Sequence, residues 1–112
     1  MDELVVWLRA QFDEDERTAR IARHDPARVL REIDADRELL AEYERVLAAH
    51  DAHQRETARL AEAGEGADPF QVAALRREAD YLPAMLHVLG RWTKRKAAVY
   101  ADRPGYRDEW RP

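Results

Sequence analysis

The chain has 112 residues, of which 46% are hydrophobic and 38% charged, with 4 Gly, 5 Pro and no Cys. That length is one domain's worth, too apolar for a disordered polymer and too poor in Gly and Pro for a many-turned β-sandwich. The absence of Cys removes disulfides, thiolate zinc sites and Cys nucleophiles, and the absence of Ser removes serine hydrolases. The net charge of −4 argues both against a coat for nucleic acid and against an acidic mimic of it. No apolar run approaches the ~20 residues that span a bilayer. Met1-Asp2-Glu3 is acidic where a signal peptide is basic, so a cytoplasmic protein is expected.

Residues 3–22 have the period of a helix: Leu4, Leu8, Phe12 and Ala19 form a stripe that Val5, Trp7 and Ile21 widen. Asp2 suits the cap. Asp13-Glu14-Asp15-Glu16-Arg17 interrupts the apolar pattern and is expected to face water. His24-Asp25-Pro26 is the next punctuation. The residue before proline avoids helical dihedrals, so the first helix should stop near Arg23, with Asp25 capping a second helix that has Pro26 in its first turn.

The second helix meets no breaker before Gly64. Its apolar line is Leu30, Ile33, Leu40, Tyr43 and Leu47, flanked by Val29, Leu39 and Val46 and interrupted by Arg37. At 1.5 Å per residue it would be ~57 Å long. It is therefore either a protruding antiparallel arm or broken near His50-Asp51, within a polar stretch expected to be exposed or frayed. Gly64-Glu65-Gly66-Ala67 is the linker, and Asp68-Pro69 repeats the cap-then-proline device. Phe70, Ala73, Ala74, Arg77 and Tyr81 follow on one side of a third helix. Pro83 predicts a kink or break at Leu82. A fourth helix would then carry Met85, Leu86, Val88, Leu89, Trp92, Val99 and Tyr100, with Gly90 either a close packing point or a weak one. Beyond it, Pro104-Gly105 is a turn, and Tyr106 and Trp110 should bring the tail back onto the body, because each ring has a large area to bury. The expected fold is all-α: one domain over 1–112, a small antiparallel bundle of about four helices with one long helix, a linker near 64–67 and an ordered non-helical C-terminal tail.

Candidate chemistry is sparse. His50 and His53 share a helix face near Asp51 and Glu56, but a pair three apart without a third fixed ligand does not define a metal site. His24 beside a helix cap reads as structural. The carboxylates at Asp13/Glu16, Asp34/Glu38 and Glu42/Glu44 lie among arginines at helical spacing and read as surface ion pairs. There is no phosphate loop, no nucleophile elbow and no zinc-protease motif. No catalytic residue and no cofactor is assigned. Arg91, Lys94, Arg95 and Lys96 surround Trp92 and form the one local concentration of basic charge, a strip that could contact phosphates. Lys94 and Lys96 are the only lysines among 19 basic residues, an arginine excess that fits a GC-rich coding genome.

Two segments, Ile21-Ala22-Arg23-His24-Asp25-Pro26-Ala27-Arg28-Val29-Leu30-Arg31-Glu32 and Tyr100-Ala101-Asp102-Arg103-Pro104-Gly105-Tyr106-Arg107-Asp108-Glu109-Trp110-Arg111-Pro112, carry a resemblance. With Met1-Asp2-Glu3-Leu4 and Phe12-Asp13-Glu14-Asp15-Glu16, they resemble a small uncharacterised family of actinobacteria and their phages, catalogued as a domain of unknown function. The resemblance covers about half the chain. It implies an actinobacterial or phage setting and supplies no activity. Relatives commonly carry an insertion before the His-Asp-Pro segment and cysteines in the middle region; this chain has neither.

The long second helix has more apolar surface than the rest of a small chain can cover. The expected function is a non-catalytic interaction module that buries an apolar helix stripe against a protein partner or a second copy of itself. Tyr43, Trp92, Tyr100 and Trp110 are the expected aromatic anchors. The alternative is a nucleic-acid-binding regulator that uses Arg91, Lys94, Arg95 and Lys96.

Overall fold

The computed structural model describes residues 2–22 and 26–112. The expected helix stop at Arg23 and the His24-Asp25 cap lie outside the described residues. Three α-helices account for most of the chain: α1 (Glu3–Ile21), α2 (Pro26–Ala63) and α3 (Pro69–Ala98). Short 3₁₀ turns at Gly64–Gly66 and Asp108–Trp110 complete it. The fold is all-α with one long helix, as expected, but it has three helices where about four were expected.

The difference lies at Pro83, which sits inside a continuous α3. A proline in a helix leaves the carbonyl four residues earlier without its donor. Here Ala79 and Pro83 are both exposed, so water can satisfy that carbonyl and the break is avoided. The caps behave as their residue types dictate. Asp2 Oδ1 accepts from the Leu4 amide at 2.9 Å, and Asp68 Oδ1 accepts from the Phe70 amide at 2.9 Å. Gly64 takes a φ of +58°, a left-handed conformation that ends α2 at little cost only for a glycine.

Consecutive helices run in opposite directions. Between α1 and α2, Arg9 pairs with Glu44, while Arg37 pairs with Asp13 at 2.8 Å and Glu16 at 2.7 Å. Between α2 and α3, Asp36 meets Lys96 at 2.7 Å, and Arg59 meets Gln71 at 3.2 Å. α1 has 19 residues against 38 in α2, so it covers only the lower half of the α2–α3 hairpin. The upper half projects as a two-helix arm, and α2 runs unbroken through His50-Asp51. The described residues extend over 65 × 29 × 19 Å with a radius of gyration of 18.6 Å, against about 13 Å for a compact chain of this length.

The core lies where three helices meet. Leu4, Val5, Leu8 and Phe12 of α1 pack with Ile33 and Leu40 of α2, Ala97 of α3, and Tyr100 and Trp110 beyond it. Ile21, expected on the apolar stripe, is exposed instead. The acidic block of α1 meets expectation in part: Asp13, Glu14 and Arg17 are exposed, while Asp15 and Glu16 are half-buried. Asp13 and Glu16 bind Arg37, and Asp15 binds Tyr100 and Arg103. Arg37, which interrupts the apolar line of α2, therefore has its partners on α1.

Candidate partner-binding face

The four expected aromatic anchors fall into two groups. Tyr100 is buried, its ring edge-on to Phe12, and its hydroxyl donates to Asp15 Oδ2 at 2.9 Å. Burial and that carboxylate push its phenol well above the usual tyrosine range. Trp110 is 8% exposed and packs on Trp7 and Tyr106, with ring centroids 5.5 and 5.9 Å away. Trp7 donates its indole N–H to the Pro104 carbonyl at 3.0 Å. Arg103 binds Asp15 at 2.7 Å and lies over the Tyr100 ring, while Arg107 pairs with Glu3. Tyr100 and Trp110 are thus spent on fastening the C-terminal segment to α1. Tyr43 is half-buried beside Gly90, where a Cβ would meet the phenol ring at 3.7 Å, an ordinary contact distance. Burial, and then the Asp2 charge, raise the Tyr43 phenol.

Trp92 differs. Thr93 and Ala97 point inward and are fully buried. With 100° per residue, Trp92 lies about a quarter-turn from that line, half-buried. Around α2, the residues that meet α1 are Arg37, Leu40 and Glu44, and those that meet α3 are Asp36 and Tyr43. Ala35, Leu39 and Glu42 fall on the third side, away from α1. Around α3 the corresponding side carries Tyr81, Met85, Val88, Trp92 and Val99. The hairpin therefore has two faces, one covered by α1 and the tail, the other uncovered. On the uncovered face Leu39 is 40%, Tyr81 49%, Val88 64% and Val99 67% exposed. Residues scattered singly need no explanation, but a contiguous apolar strip on one face does.

Charge borders this face asymmetrically. Glu38 and Glu42 edge the α2 side, with Arg45 bonded to Glu42. Arg91 and Arg95 edge the α3 side, around a shallow depression lined by His87, Val88, Arg91, Trp92 and Arg95. The basic strip is thereby divided. Lys96 turns inward to Asp36. Arg91, Lys94 and Arg95 are exposed, and Lys94 points away from both other cations' edge. The sequence reading missed Leu39, Tyr81 and Val88 as surface residues. For Tyr81 and Val88 the signal was the width of the apolar arc on α3, which exceeds what one neighbouring helix can cover.

A second groove of about 440 Å³ lies in the arm, lined by His53, Thr57, Leu60, Val72, Leu75 and Ala79 among others. His50 Nε2 lies 3.3 Å from Gln54 Nε2, while His53 lines the groove. Among the described residues, no group of three or more His, Asp or Glu is placed to hold a metal ion. At the α1–α2 seam, Glu16 is held below the usual carboxylate range by hydrogen bonds from Arg20 and then Arg37. That is an ion-pair signature rather than the raised carboxyl of a general acid. No described helix is long and apolar enough to cross a membrane.

Fold and surface together define an all-α protein built as a helical hairpin braced on one face. The chain belongs to a family of unknown function (DUF6221), whose model matches residues 19–112. The match contains the whole C-terminal fastening segment, whereas most of α1, on which that segment sits, precedes it. No curated protein and no solved structure matches the chain.

Proposed function

We propose that this protein is a non-catalytic interaction module that binds a protein partner through the uncovered face of the α2–α3 hairpin. The observation that carries the reading is the exposed row Tyr81, Val88 and Val99 with half-buried Trp92, on the side of α3 away from α1. Burial of such a row releases roughly 25 cal/mol per Å² of apolar area, and a tryptophan at its centre is the residue type that most often dominates an interface. The setting proposed is cytoplasmic, as an accessory protein of actinobacteria or their phages. The test is a tagged pull-down from a nuclease-treated actinobacterial lysate with wild-type protein and Val88→Asp. A stoichiometric protein recovered by the wild type and lost with Val88→Asp supports the reading; equal recovery by both overturns it.

A second reading has its own observation. Arg91, Lys94 and Arg95 are exposed and, among the described residues, take no part in the chain's ion pairs. Arg91 and Arg95 beside the half-buried Trp92 indole, with Lys94 on the adjoining side of the helix, suit a phosphate backbone with one stacked base. Binding of DNA or RNA that weakens steeply as salt rises, and is lost in Lys94→Glu/Arg95→Glu, is the expected signature. A salt-independent interaction belongs to the apolar face.

A further inference from the structure

We propose that the partner on the uncovered face is a second copy of this chain, arranged so that α2 of each copy packs on α3 of the other, with both arms pointing the same way. The inference rests on the interaction reading above and names its occupant.

The argument is one of charge and level. The uncovered face carries Glu38 and Glu42 along α2, the latter paired with Arg45, and Arg91 and Arg95 along α3. A face divided in this way is complementary to itself. Two identical faces can meet about a two-fold axis lying in the plane between them, either along the helices or across them. An axis across the helices sets α2 on α2 and α3 on α3. Where that axis crosses at the level of Leu40, glutamates meet glutamates and arginines meet arginines. An axis along the helices sets α2 on α3, and acid meets base along both edges.

That second arrangement also fixes the register. A two-fold axis along the helices leaves every residue at its own height. Within one chain, Asp36 stands level with Lys96, 2.7 Å apart, and Tyr43 stands level with Gly90, against which its ring packs. Glu38 is therefore level with Arg95, and Glu42 with Arg91. Across the axis, Glu38 of one copy reaches Arg95 of the second copy, and Glu42 reaches Arg91 one turn higher. Leu39 and Val88, Trp92 and Val99 lie between these edges and form the buried seam. The product is a four-helix core of two hairpins, the usual solution for helices with one apolar side to cover, with each α1 on the outside.

The test uses two full-length variants, Arg91→Glu/Arg95→Glu and Glu38→Arg/Glu42→Arg, each checked for wild-type helicity by circular dichroism. All four positions are on the surface, so the fold is expected to survive. Light scattering on a sizing column should give twice the 13.0 kDa chain mass for the wild type and the monomer mass for each variant alone. The two variants mixed in equal amounts should return to the dimer mass, because every edge contact is again acid against base. Because the chain has no cysteine, Glu38→Cys mixed with Arg95→Cys should cross-link through a short bis-maleimide, and neither should do so alone. A wild type that stays monomeric at 100 µM overturns the second copy as occupant, and the Val88→Asp pull-down then decides separately whether another protein uses the face. A dimer that survives both charge reversals, or a mixture that stays monomeric, overturns the α2-on-α3 arrangement.

Discussion

The indole N–H of Trp7 donates to the carbonyl of Pro104 at 3.0 Å and thereby ties the first helix to a segment 97 residues away. Around that bond stand Tyr106, Trp110 and Gly105. The glycine takes a φ of +90°, which L side chains rarely adopt, and a Cβ on it would sit 2.7 Å from the indole nitrogen. The turn therefore needs glycine on two counts, backbone conformation and space.

Gly105→Ala is accordingly expected to break the Trp7–Pro104 bond and strain the turn. Each of these costs about 1–3 kcal/mol. A fall in melting temperature of at least 4 °C is expected for a domain of this size, with helicity at low temperature retained. Scanning calorimetry of the variant against wild type is the check, and an unchanged midpoint would show that the turn adjusts freely.

Trp110→Ala should cost more. The ring is buried against Trp7 and Tyr106, and truncation of a buried aromatic costs about 3–5 kcal/mol. Urea unfolding is the measurement. Hydrogen exchange should show the loss at Leu4–Phe12, beneath the tail, before it reaches the arm.

Tyr100 gives the fold an alkaline limit. Burial and the Asp15 bond raise its phenol in the folded state, while the unfolded phenol titrates near 10. Above about pH 10 the unfolded chain gives up a proton that the folded chain keeps. The stabilisation is therefore complete below pH 10 and lost as the pH rises beyond it. Tyr100→Phe should be less stable than wild type at pH 8, having lost the bond to Asp15, and the two curves should converge above pH 10. Thermal unfolding across pH 8–11 reads this directly; parallel curves would refute it.

Pro83→Ala is expected to stabilise the protein. The substitution returns a donor to the Ala79 carbonyl in the middle of α3. A proline in a helix interior costs about 3 kcal/mol relative to alanine, partly offset by the stiffer unfolded chain. A net gain of about 2 kcal/mol should raise the melting temperature without changing the helical signal.

Local chemistry made most of this architecture readable in advance. Asp68-Pro69 and Gly64 mark their helix ends because capping and left-handed turns act within four residues. The apolar period of α1 marks its buried face because that period is itself local. Pro83 misled because its cost depends on whether water reaches Ala79, a fact about neighbours rather than about sequence. Of the acidic run, Asp13 and Glu14 are exposed as expected, and only Asp15 and Glu16 misled, for a similar reason: they read as solvated until Arg103 and Arg37, distant in sequence, are known to face them. The binding surface was legible only in outline. Trp92 stood out by residue type, but Tyr43, Tyr100 and Trp110 carry the same signal and are spent inside. Nothing local separates an aromatic that fastens a tail from one that awaits a partner. Leu39 and Val88 became visible only once α1 was seen to cover one side of the hairpin.

The fastening of α1 by residues 100–110 also sets an order of events during synthesis. Leu4, Val5, Leu8 and Phe12 leave the ribosome well before Tyr100 and Trp110, which form part of their cover. Closing so long a loop is entropically costly, and it cannot begin until Trp110 has emerged. Until Trp110 emerges, α1 can dock on Ile33 and Leu40 of α2 but its apolar face stays incompletely covered.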